Sequence, residues 1–458
     1  MNNAVIKYFE SQKGKRIAFC GLGRSNLPLI DMYKKYGAEV IACDKRSFEE
    51  LGDIAVNLEK NGVELSLGSE YLTNLNADML FRTPGMNYNM PELKKIREQG
   101  VTITSEMEVF FELCPCKIIA VTGSDGKTTT TTIISEFLKA ENKNVHLGGN
   151  IGKPLLPEIF EISAEDYAVV ELSSFQLISM KNSPNISVVT NITPNHLDVH
   201  KDMEEYIEAK RNIVKYQNQA CVTVLNYNNE TTKSFAENIS SEVRYFNELV
   251  DGFASIHRDT DSIYFNDEKI LDVKDIAIPG EHNVENYMAA IGAVWGIVSS
   301  DTILSVAKTF GGVAHRAELV RTLNGVKYYN DSIASSPTRT IKGMLSLFEQ
   351  KIILICGGYD KNIPYEPLGP VINEKVKTLI LIGATGPKIE KAAVEAENFN
   401  KDFLTILKAD TLEEAVKLAE NCAENGDIVS LSPASASFDM FRDFEHRGNY
   451  FKELVNAL

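Results

Sequence analysis

Short apolar runs alternate along the chain with segments of helical periodicity, and this pattern predicts an α/β protein. The runs 16–20, 118–121 and 167–170 each precede a turn or a polar segment, as strands buried in parallel sheets do. Segment 203–214 instead repeats its apolar positions at spacings of three and four, which predicts an amphipathic helix. Further strands of a carboxyl-terminal α/β domain are predicted near 326–329, 351–356, 378–382 and 427–431.

One strand–turn–helix segment carries the strongest chemical signal, Val121-Thr-Gly-Ser-Asp-Gly-Lys-Thr-Thr-Thr130. Such a turn directs backbone N–H groups and the positive end of a helix dipole at one point, a geometry that binds phosphate. In this interpretation Lys127 contacts the β- and γ-phosphates, and the Thr128 hydroxyl holds Mg²⁺. The strict P-loop pattern requires a glycine where Val121 stands, so a plain glycine turn with a surface lysine is the alternative. We interpret the segment as an ATP-binding loop.

Two further strands are predicted to end in polar residues beside this loop. Strand 167–170 is followed by Glu171, and strand 186–190 leads into a turn that contains His196. Parallel strands present their carboxyl ends at one sheet edge, so both side chains are expected near the phosphates. A carboxylate and an imidazole there suit a divalent cation that bridges phosphate oxygens. A helix-capping acid and a core histidine are the alternative.

Lys210 interrupts the apolar face of the helix that follows. The stripe is formed by Met203, Tyr206, Ile207, Ile213 and Val214. Lys210 falls in its middle, where a lysine is unusual. Either the side chain extends along the apolar surface to place its ammonium at the rim, or it is buried with a lowered pKa. A neutral buried amine can react with carbon dioxide to give a carbamate, which would be a carboxylate-like metal ligand.

The amino-terminal segment predicts a βαβ unit that binds a nucleotide. Gly21-Leu-Gly23 follows the first strand, and Asp44 ends the second, about twenty residues later. Asn26 replaces the third glycine of the dinucleotide fingerprint, so NAD binding remains only one alternative. The turn 81–85 follows another strand, at the edge where open α/β sheets bind ligands.

Length and composition restrict the remaining interpretations. At 458 residues the chain should form two to four domains. Its net charge of −16 argues against nucleic acid or an anionic membrane as the main partner. No apolar run approaches about 18 residues, and residues 1–15 lack a signal-peptide core, so neither export nor membrane insertion is expected. The seven cysteines are scattered, which favours free thiols in a reducing cytoplasm over a metal pair at Cys114-Pro-Cys116.

Taken together, these motifs resemble those of the Mur ligases, the ATP-dependent amide-forming enzymes of peptidoglycan synthesis, over the whole chain. The loop 122–128 resembles the short ATP loop of that family. Three segments most resemble the members that add D-glutamate: 148–152, Glu171-Leu-Ser-Ser-Phe-Gln-Leu177 and Leu431-Ser-Pro-Ala-Ser-Ala-Ser-Phe438.

The resemblance implies three α/β domains and one reaction. Residues 1–105 would form a Rossmann-like domain for the UDP-linked substrate, residues 106–312 a P-loop-type ATP domain with a mostly parallel sheet, and residues 313–458 a Rossmann-like domain for the incoming amino acid. The implied enzyme is a cytoplasmic, monomeric carbon–nitrogen ligase. It would join D-glutamate to UDP-N-acetylmuramoyl-L-alanine through an acyl phosphate, with ATP and two Mg²⁺ ions.

The resemblance also assigns site residues. ATP would be bound by Gly123, Ser124, Asp125, Gly126, Lys127, Thr128, Thr129, Asn286, Arg316 and Asp331. Catalysis would depend on Lys127, Glu171, His196 and Lys210, and metal binding on Thr128, Glu171, His196 and a carbamylated Lys210. The UDP-linked substrate would contact Ser25, Asp44, Arg46, Thr83 and Asn150. D-Glutamate would contact Ser335, Lys361, Ser437, Phe438 and Phe444.

Three departures from the family pattern and several alternative functions remain. Asn195 stands where many members have Asp, Asp125 stands where Asn is common, and the third departure is the most serious. Ile333 stands where the resemblance leads us to expect a lysine, and Arg339 is the nearby cation that could replace it. Another Mur ligase is the nearest alternative. A folylpolyglutamate-synthase-like ligase would share the ATP loop but would not need the amino-terminal nucleotide-binding domain. An NAD-dependent oxidoreductase would leave the ATP loop unexplained, and a non-enzymatic ATP switch would leave the polar rims of the other domains unexplained.

Overall fold

The computed structural model describes residues 3–196, 199–247 and 255–458. The chain divides into two compact units. Unit 1 comprises Met1–Asp275 and His282–Lys308, and unit 2 comprises Ile276–Glu281 and Thr309–Leu458. Within the described residues, no helix is long and apolar enough to cross a membrane.

The first sheet of unit 1 is entirely parallel. Its strands are β1 (Arg16–Cys20), β2 (Glu39–Asp44), β3 (Glu64–Leu67), β4 (Met79–Arg82) and β5 (Thr102–Thr104). The accompanying helices are α1 (Asn3–Glu10), α2 (Leu27–Lys35), α3 (Phe48–Leu51), α4 (Asp53–Lys60) and α5 (Pro91–Glu98). The order β3-β2-β1-β4-β5 reverses direction between β1 and β4. Ligands of open α/β sheets bind at such a reversal, so the turns after β1 and β4 frame a crevice.

The second sheet of unit 1 is parallel except at one end. Its strands are β6 (Lys117–Thr122), β7 (Val145–Gly149), β8 (Tyr167–Glu171), β9 (Ile186–Val189), β10 (Val222–Asn226), β11 (Glu242–Phe246), β12 (Ile256–Arg258), β13 (Ser262–Phe265) and β14 (Glu268–Asp272). Its helices are α6 (Glu106–Leu113), α7 (Lys127–Ala140), α8 (Ser174–Leu177), α9 (Met203–Lys215), α10 (Glu230–Lys233), α11 (Glu281–Val294) and α12 (Ser300–Thr309). The order is β14-β13-β12-β11-β10-β9-β6-β8-β7, and only β12–β13 and β13–β14 pair antiparallel. Strand β6 therefore lies between β8 and β9, whose ends carry the predicted acid and histidine.

Unit 2 contains the third sheet. Its strands are β15 (Glu318–Leu323), β16 (Val326–Asn330), β17 (Ile352–Gly357), β18 (Val376–Ile382), β19 (Thr405–Lys408) and β20 (Ile428–Leu431). Its helices are α13 (Pro337–Lys342), α14 (Leu368–Lys375), α15 (Gly386–Val394), α16 (Leu412–Cys422) and α17 (Phe444–Ala457). The order is β15-β16-β20-β17-β18-β19, with β15 antiparallel to β16. The turns after β16, β20 and β17 therefore emerge side by side.

The α/β class with mostly parallel sheets is confirmed. The three sheets lie within residues 16–104, 117–272 and 318–431. All four predicted carboxyl-terminal strands form, and the edge strands β15 and β19 were missed. The domain borders near residues 105 and 312 stay predictions, since the first two sheets both belong to unit 1.

Candidate functional site

The ATP-binding loop joins β6 to α7 through two glycines that leave no room for a Cβ unless neighbouring side chains move. Gly126 precedes the helix with a φ of 77°. A Cβ on Gly123 would lie 1.9 Å from Thr190 Oγ1, and one on Gly126 would lie 2.3 Å from Asn286 Oδ1. Asn286 thus packs directly against the loop and accepts a hydrogen bond from Thr130 at 3.2 Å. The predicted ATP residue on α11 therefore adjoins the phosphate loop.

Ser124 and Asp125 hold the loop in shape. The Ser124 hydroxyl donates to the Thr193 carbonyl oxygen at 3.0 Å and lies 2.9 Å from the Tyr206 hydroxyl. Asp125 contributes its backbone, because its carbonyl oxygen accepts from Thr190 at 2.6 Å and its N–H donates to Asn191 Oδ1 at 2.9 Å. Thr129 lies half-buried in the first turn of α7. The loop is therefore preorganised by its neighbours.

Two lysines converge on one carbonyl oxygen of this loop. Lys127 Nζ donates to the Gly123 and Ser124 carbonyl oxygens at 3.0 and 2.9 Å. Lys210 Nζ donates to the same Gly123 oxygen at 2.7 Å and to Thr122 Oγ1 at 3.2 Å. Lys210 is only 2 % exposed, so the alternative in which its ammonium reaches the rim is wrong. Burial lowers the pKa of Lys210 well below its usual value, and the charge of Lys127 lowers it further.

Glu171 connects the ATP-binding loop to the turn that follows β7. Its carboxylate is buried and accepts a hydrogen bond from Thr128 at 2.7 Å through one oxygen. The other oxygen accepts from the Asn150 amide, also at 2.7 Å. A hydroxyl and a carboxylate beside a phosphate loop are hard oxygen donors of the kind that Mg²⁺ binds. The donors therefore fit a magnesium ion at Thr128 and Glu171.

His196 lies against the Phe175 ring and, at 6.5 Å between ring centroids, near the Tyr206 ring. Its exposed imidazole contacts the Phe175 ring at 5.2 Å between centroids, and its φ is 56°. No group of three His, Cys, Asp or Glu side chains suited to a metal occurs among the described residues. Residues 197 and 198 are outside that range. A site shared by His196, Glu171, Thr128 and Lys210 therefore stays a prediction.

A cavity at the reversal between β1 and β4 brings together four of the residues predicted for the UDP-linked substrate. This β1–β4 cavity is lined by Gly21, Leu22, Gly23, Arg24, Ser25, Asp44, Lys45, Arg46, Tyr71, Thr83, Gly85, Met86, Asn87 and Met90. Asp44 accepts from the Leu22 N–H at 2.8 Å and from Arg46 at 2.7 Å. Burial alone would raise the pKa of Asp44, but these bonds lower it to about 2. Asn26 donates to the Cys20 carbonyl oxygen at 3.0 Å and closes the turn where the third glycine is absent.

A second cavity continues from the first toward the ATP-binding loop. This Asn150 cavity is lined by Arg24, Ser25, Arg82, Pro84, Ser105, Glu106, Met107, Gly149, Asn150, Gly152, Pro154 and Gln176. It shares Arg24 and Ser25 with the β1–β4 cavity. Sequence reasoning missed Glu106, which accepts from the backbone N–H groups of Leu155 and Leu156, both at 2.8 Å. Burial raises the pKa of Glu106 to about 7, despite those two bonds.

In unit 2, the turn after β16 carries a buried acid. Asp331 accepts from Ser432 Oγ at 2.7 Å and from the Ala317 N–H at 3.2 Å. Burial raises the pKa of Asp331 to about 7, although these bonds and the charge of Arg316 oppose the rise. Arg316 itself is exposed. Of the predicted ATP residues, these two therefore lie near enough in unit 2 for the charge of Arg316 to act on Asp331.

The residues predicted for D-glutamate lie on the three adjacent turns of the third sheet and at the start of α17. Lys361 Nζ lies 3.5 Å from the Ser335 carbonyl oxygen, which joins the turns after β17 and β16. Ser437 is buried in the turn after β20, whereas Phe438 is 63 % exposed and contacts the Tyr359 ring. Phe444 begins α17, and its carbonyl oxygen accepts from Ser332 at 2.8 Å.

Arg447 is a residue of this region that sequence reasoning missed. It is fully buried on α17 and donates to Ser332 Oγ at 2.9 Å and to the Ala436 carbonyl oxygen at 3.0 Å. It also bonds the Ser332 and Ser435 carbonyl oxygens. Burial lowers the pKa of Arg447 to about 10. One guanidinium therefore ties the turn after β16 to the turn after β20.

Family models match two parts of the chain. Residues 121–294 match the Mur ligase middle domain, and residues 315–435 match the Mur ligase glutamate ligase domain. The first region contains the ATP-binding loop, Glu171 and Lys210, and the second contains Asp331 and Lys361.

Relatives extend the match to the whole chain. The UDP-N-acetylmuramoylalanine–D-glutamate ligase of Acetivibrio thermocellus is 52% identical over 465 residues, covering 100% of both chains. The protein of the same name from Ruminiclostridium cellulolyticum is 49% identical over 466 residues, again covering 100% of both.

Among solved structures, the fold is similar to that of the UDP-N-acetylmuramate-alanine ligase of Thermotoga maritima, with a TM-score of 0.57, 18% identity and coverage of 97% of this chain and 99% of that one. It is also similar to the UDP-N-acetylmuramoylalanyl-D-glutamyl-2,6-diaminopimelate–D-alanyl-D-alanyl ligase of Acinetobacter baumannii, with a TM-score of 0.56, 16% identity and coverage of 99% and 97%. Full-length identity near one half and matching domain models lead to one conclusion: the chain belongs to the Mur ligase family.

Proposed function

We propose that the chain is the ATP-dependent ligase that joins D-glutamate to UDP-N-acetylmuramoyl-L-alanine. The relatives that share about half of its residues over their full length carry the name of that activity. The turns of the third sheet also present a cation, Lys361, and buried hydroxyl and backbone groups that suit a small dicarboxylic amino acid.

The observation that carries the proposal is the bridge made by Glu171. One carboxylate oxygen accepts from Thr128 of the ATP-binding loop, and the other accepts from Asn150 of the Asn150 cavity. A nucleotide-linked substrate that extends from the β1–β4 cavity into the Asn150 cavity would therefore end beside the phosphate loop. This is the arrangement that phosphoryl transfer from ATP to a substrate carboxylate requires.

The reaction follows from the weak electrophilicity of a carboxylate. The terminal carboxylate of the alanyl group attacks the γ-phosphorus of ATP, ADP leaves, and an acyl phosphate forms. The amine of D-glutamate then attacks the acyl carbon, and inorganic phosphate leaves through a tetrahedral intermediate. Lys127 and the backbone N–H groups at the start of α7 would stabilise the charge on the transferred phosphoryl group.

Magnesium belongs to the same proposal. Thr128 and Glu171 would hold the ion, which neutralises phosphate charge when bound. Lys210, as a carbamate, and His196 would complete or organise a second site. Lys210 carries a lowered pKa, which favours the neutral amine that carbon dioxide needs. We further propose that Ser25, Asp44, Arg46, Thr83 and Asn150 contact the UDP-linked substrate, and that Asn286, Arg316 and Asp331 contact ATP.

Amino-acid recognition is assigned to unit 2, with Ser335, Lys361, Ser437, Phe438 and Phe444 around D-glutamate. The reaction would take place in the cytoplasm, with the chain acting as a monomer. Light scattering of the purified protein tests the oligomeric state directly.

One assay tests the function. Phosphate release from ATP is measured with UDP-N-acetylmuramoyl-L-alanine and, in turn, D-glutamate, L-alanine, a diamino acid or D-alanyl-D-alanine. In the presence of the UDP-linked substrate, we expect phosphate release with D-glutamate and with none of the other amino acids. The product should be heavier than the UDP-linked substrate by one glutamyl residue. Release with a different amino acid would identify another Mur ligase. Glutamate addition to a folate instead of the UDP-linked substrate would identify a folylpolyglutamate-synthase-like enzyme.

A further inference from the structure

Arg82 is a buried cation without an acidic partner. It ends β4 and is 1 % exposed. Among the described residues, no carboxylate lies within ion-pair distance of its guanidinium, and the nearby Glu108 interacts with the hydroxyls of Ser105, at 2.7 Å, and of Ser179. Burial lowers the pKa of Arg82, which the charge of Glu108 only partly offsets. An unpaired buried charge is expensive, so its presence requires an explanation.

Within the described part of the chain, one nitrogen of this guanidinium has hydrogen-bond partners and the other two have none. Nη2 donates to the Phe175 carbonyl oxygen at 2.8 Å and to Ser179 Oγ at 2.7 Å. Nε and Nη1 are buried and have no hydrogen-bond partner among the residues that the structure describes. Nearly all buried N–H groups in proteins are paired, so two orphaned donors on one charged group mark a place where an acceptor is missing.

The missing acceptor can come from a ligand, because Arg82 forms part of the wall of the Asn150 cavity. That cavity shares Arg24 and Ser25 with the β1–β4 cavity, which carries the predicted UDP contacts. It is also lined by Asn150, which bonds Glu171 next to the ATP-binding loop. A nucleotide-linked substrate that fills both cavities carries negative charge at two places beyond its nucleoside: the diphosphate and the terminal carboxylate.

We propose that Arg82 is a substrate-binding residue whose Nε and Nη1 donate to an anionic oxygen of the nucleotide-linked substrate. The inference rests on the proposed function, since it takes the UDP-linked substrate as the ligand. The same residue holds α8 through Phe175, and the Phe175 ring contacts His196. Substrate binding at Arg82 would therefore also fix the segment on which the predicted catalytic histidine lies.

The competing explanation is that Arg82 only braces β4 against α8. Ser179→Ala distinguishes the substrate-binding role from the structural role. It removes one hydrogen-bond acceptor that links Arg82 to the segment after α8, and it leaves the charge of Arg82 in place. Arg97→Met is a matched control: Arg97 lies over the same Tyr88 ring as Arg82, at 4.4 Å against 5.3 Å, and lines neither cavity.

The experiment measures the affinities of uridine, UDP and UDP-N-acetylmuramoyl-L-alanine by calorimetry. For Arg82→Met we expect at least a tenfold loss with the full substrate and no more than a twofold change with uridine. A matching loss with UDP would assign the contact to the diphosphate, whereas normal UDP binding would assign it to the carboxylate. Ser179→Ala and Arg97→Met should bind all three ligands within twofold of the wild-type protein.

Two results would overturn the inference: unchanged affinity of Arg82→Met for the full substrate, or an equal loss for all three ligands that Ser179→Ala reproduces. If Arg82→Met does not fold, Arg82→Gln supplies the same comparison with one donor group retained. The proposed function is judged separately on the wild-type protein. If that protein turns over D-glutamate while Arg82→Met binds normally, only the inference about Arg82 fails.

Discussion

Replacing Lys210 by methionine should remove activity and at the same time stabilise the fold. The lysine is buried under the ATP-binding loop, and burial together with the charge of Lys127 lowers its pKa well below 10.5. Each unit of lowering costs about 1.4 kcal/mol of folding free energy at pH values where the native lysine is protonated. A buried ammonium in this position is therefore a cost to stability that function must explain.

The contacts around Lys210 allow the magnitude to be worked out. If the ammonium is removed, the Gly123 carbonyl oxygen still accepts from Lys127 at 3.0 Å. Thr122 Oγ1 still donates to the Leu172 carbonyl oxygen at 2.8 Å. No polar group is orphaned, and methionine fills similar volume, so we expect the free energy of unfolding to rise by about 1–3 kcal/mol. Turnover should fall by about 100-fold or more, as expected when a group that organises transition-state charge is lost.

The pH dependence gives this prediction a distinct signature. The folded pKa of Lys210 lies below its unfolded value of 10.5, so between these two pH values the unfolded chain binds more protons. The stability of the wild-type protein therefore rises with pH through that window. The difference in free energy of unfolding between Lys210→Met and the wild-type protein is therefore largest at lower pH and disappears by about pH 10.5.

The assay combines urea unfolding from pH 6 to 10, in buffer without bicarbonate or metal, with phosphate release. Lys215→Met, which changes an exposed residue in the last turn of the same helix, is the control and should change neither quantity. Lys210→Ala should regain some turnover with acetate or formate, which can occupy the space of a carbamate. Near-normal turnover of a folded Lys210 variant would refute the catalytic role. A destabilised Lys210→Met would show that the two hydrogen bonds outweigh the burial cost.

Three other substitutions give separate outcomes. Lys127→Ala should lower phosphate release by at least about 100-fold while UDP affinity stays within twofold, and near-normal release would contradict ATP binding by this loop. Asp44 has a pKa of about 2, so its stabilising effect is complete above about pH 4 and is lost as the pH falls toward 2. The difference in urea midpoint between wild type and Asp44→Asn should therefore be constant from pH 7 to 5 and shrink below about pH 4, and a constant difference throughout would contradict the lowered pKa. Arg447→Lys should raise the KM for D-glutamate about tenfold and cost about 2–4 kcal/mol of stability with UDP affinity unchanged, and a normal KM would show that Arg447 does not order the two turns.

Local chemistry explains what the sequence could predict. The ATP-binding loop was predictable because its two glycines, its Lys-Thr pair and its flanking strand and helix are contiguous. The helix stripe placed Lys210 on the core-facing side of α9, where Tyr206, Ile213 and Val214 are buried, but it left open whether the ammonium reaches the rim. Asp44 and Thr83 could be placed in one crevice because the ends of parallel strands share a sheet edge.

Other features depend on contacts between distant segments and have no local signal. Arg82 bonds a carbonyl oxygen 93 positions away, and Arg447 bonds Ser332 at a separation of 115. In the sequence, Arg82 is only the last residue of a strand, and Arg447 is one charged residue on a helix with other charges. The interaction of His196 with Phe175 likewise depends on the approach of the turn after β9 to helix α8, which no periodicity encodes. Sequence reasoning could assign these residues to elements but could not foresee their partners.

Two cations near the turn after β16 could bind a substrate carboxylate in place of the lysine expected at Ile333. Two cations flank this turn: Arg339 Nη1 donates to the Ile333 carbonyl oxygen at 3.2 Å, and Lys361 Nζ lies 3.5 Å from the Ser335 carbonyl oxygen. D-Glutamate brings two carboxylates, each of which needs a cation or several N–H donors in a site with little water.

Lys361 and Arg339 are both exposed. Lys361 is the better candidate for ionic recognition, because it extends from the turn after β17 to the turn after β16 at the sheet edge where a ligand would bind, whereas the charge of Arg339 already acts on Asp331. We therefore expect Lys361→Ala to raise the KM for D-glutamate at least about tenfold and Arg339→Ala to raise it less. Lys342→Ala, an exposed position on the same helix as Arg339, is the control and should leave the KM unchanged. A larger effect at Arg339 would transfer the role to that residue, and small effects at both would mean that Ser437 and the backbone N–H groups near Phe444 bind the amino acid without a dedicated cation.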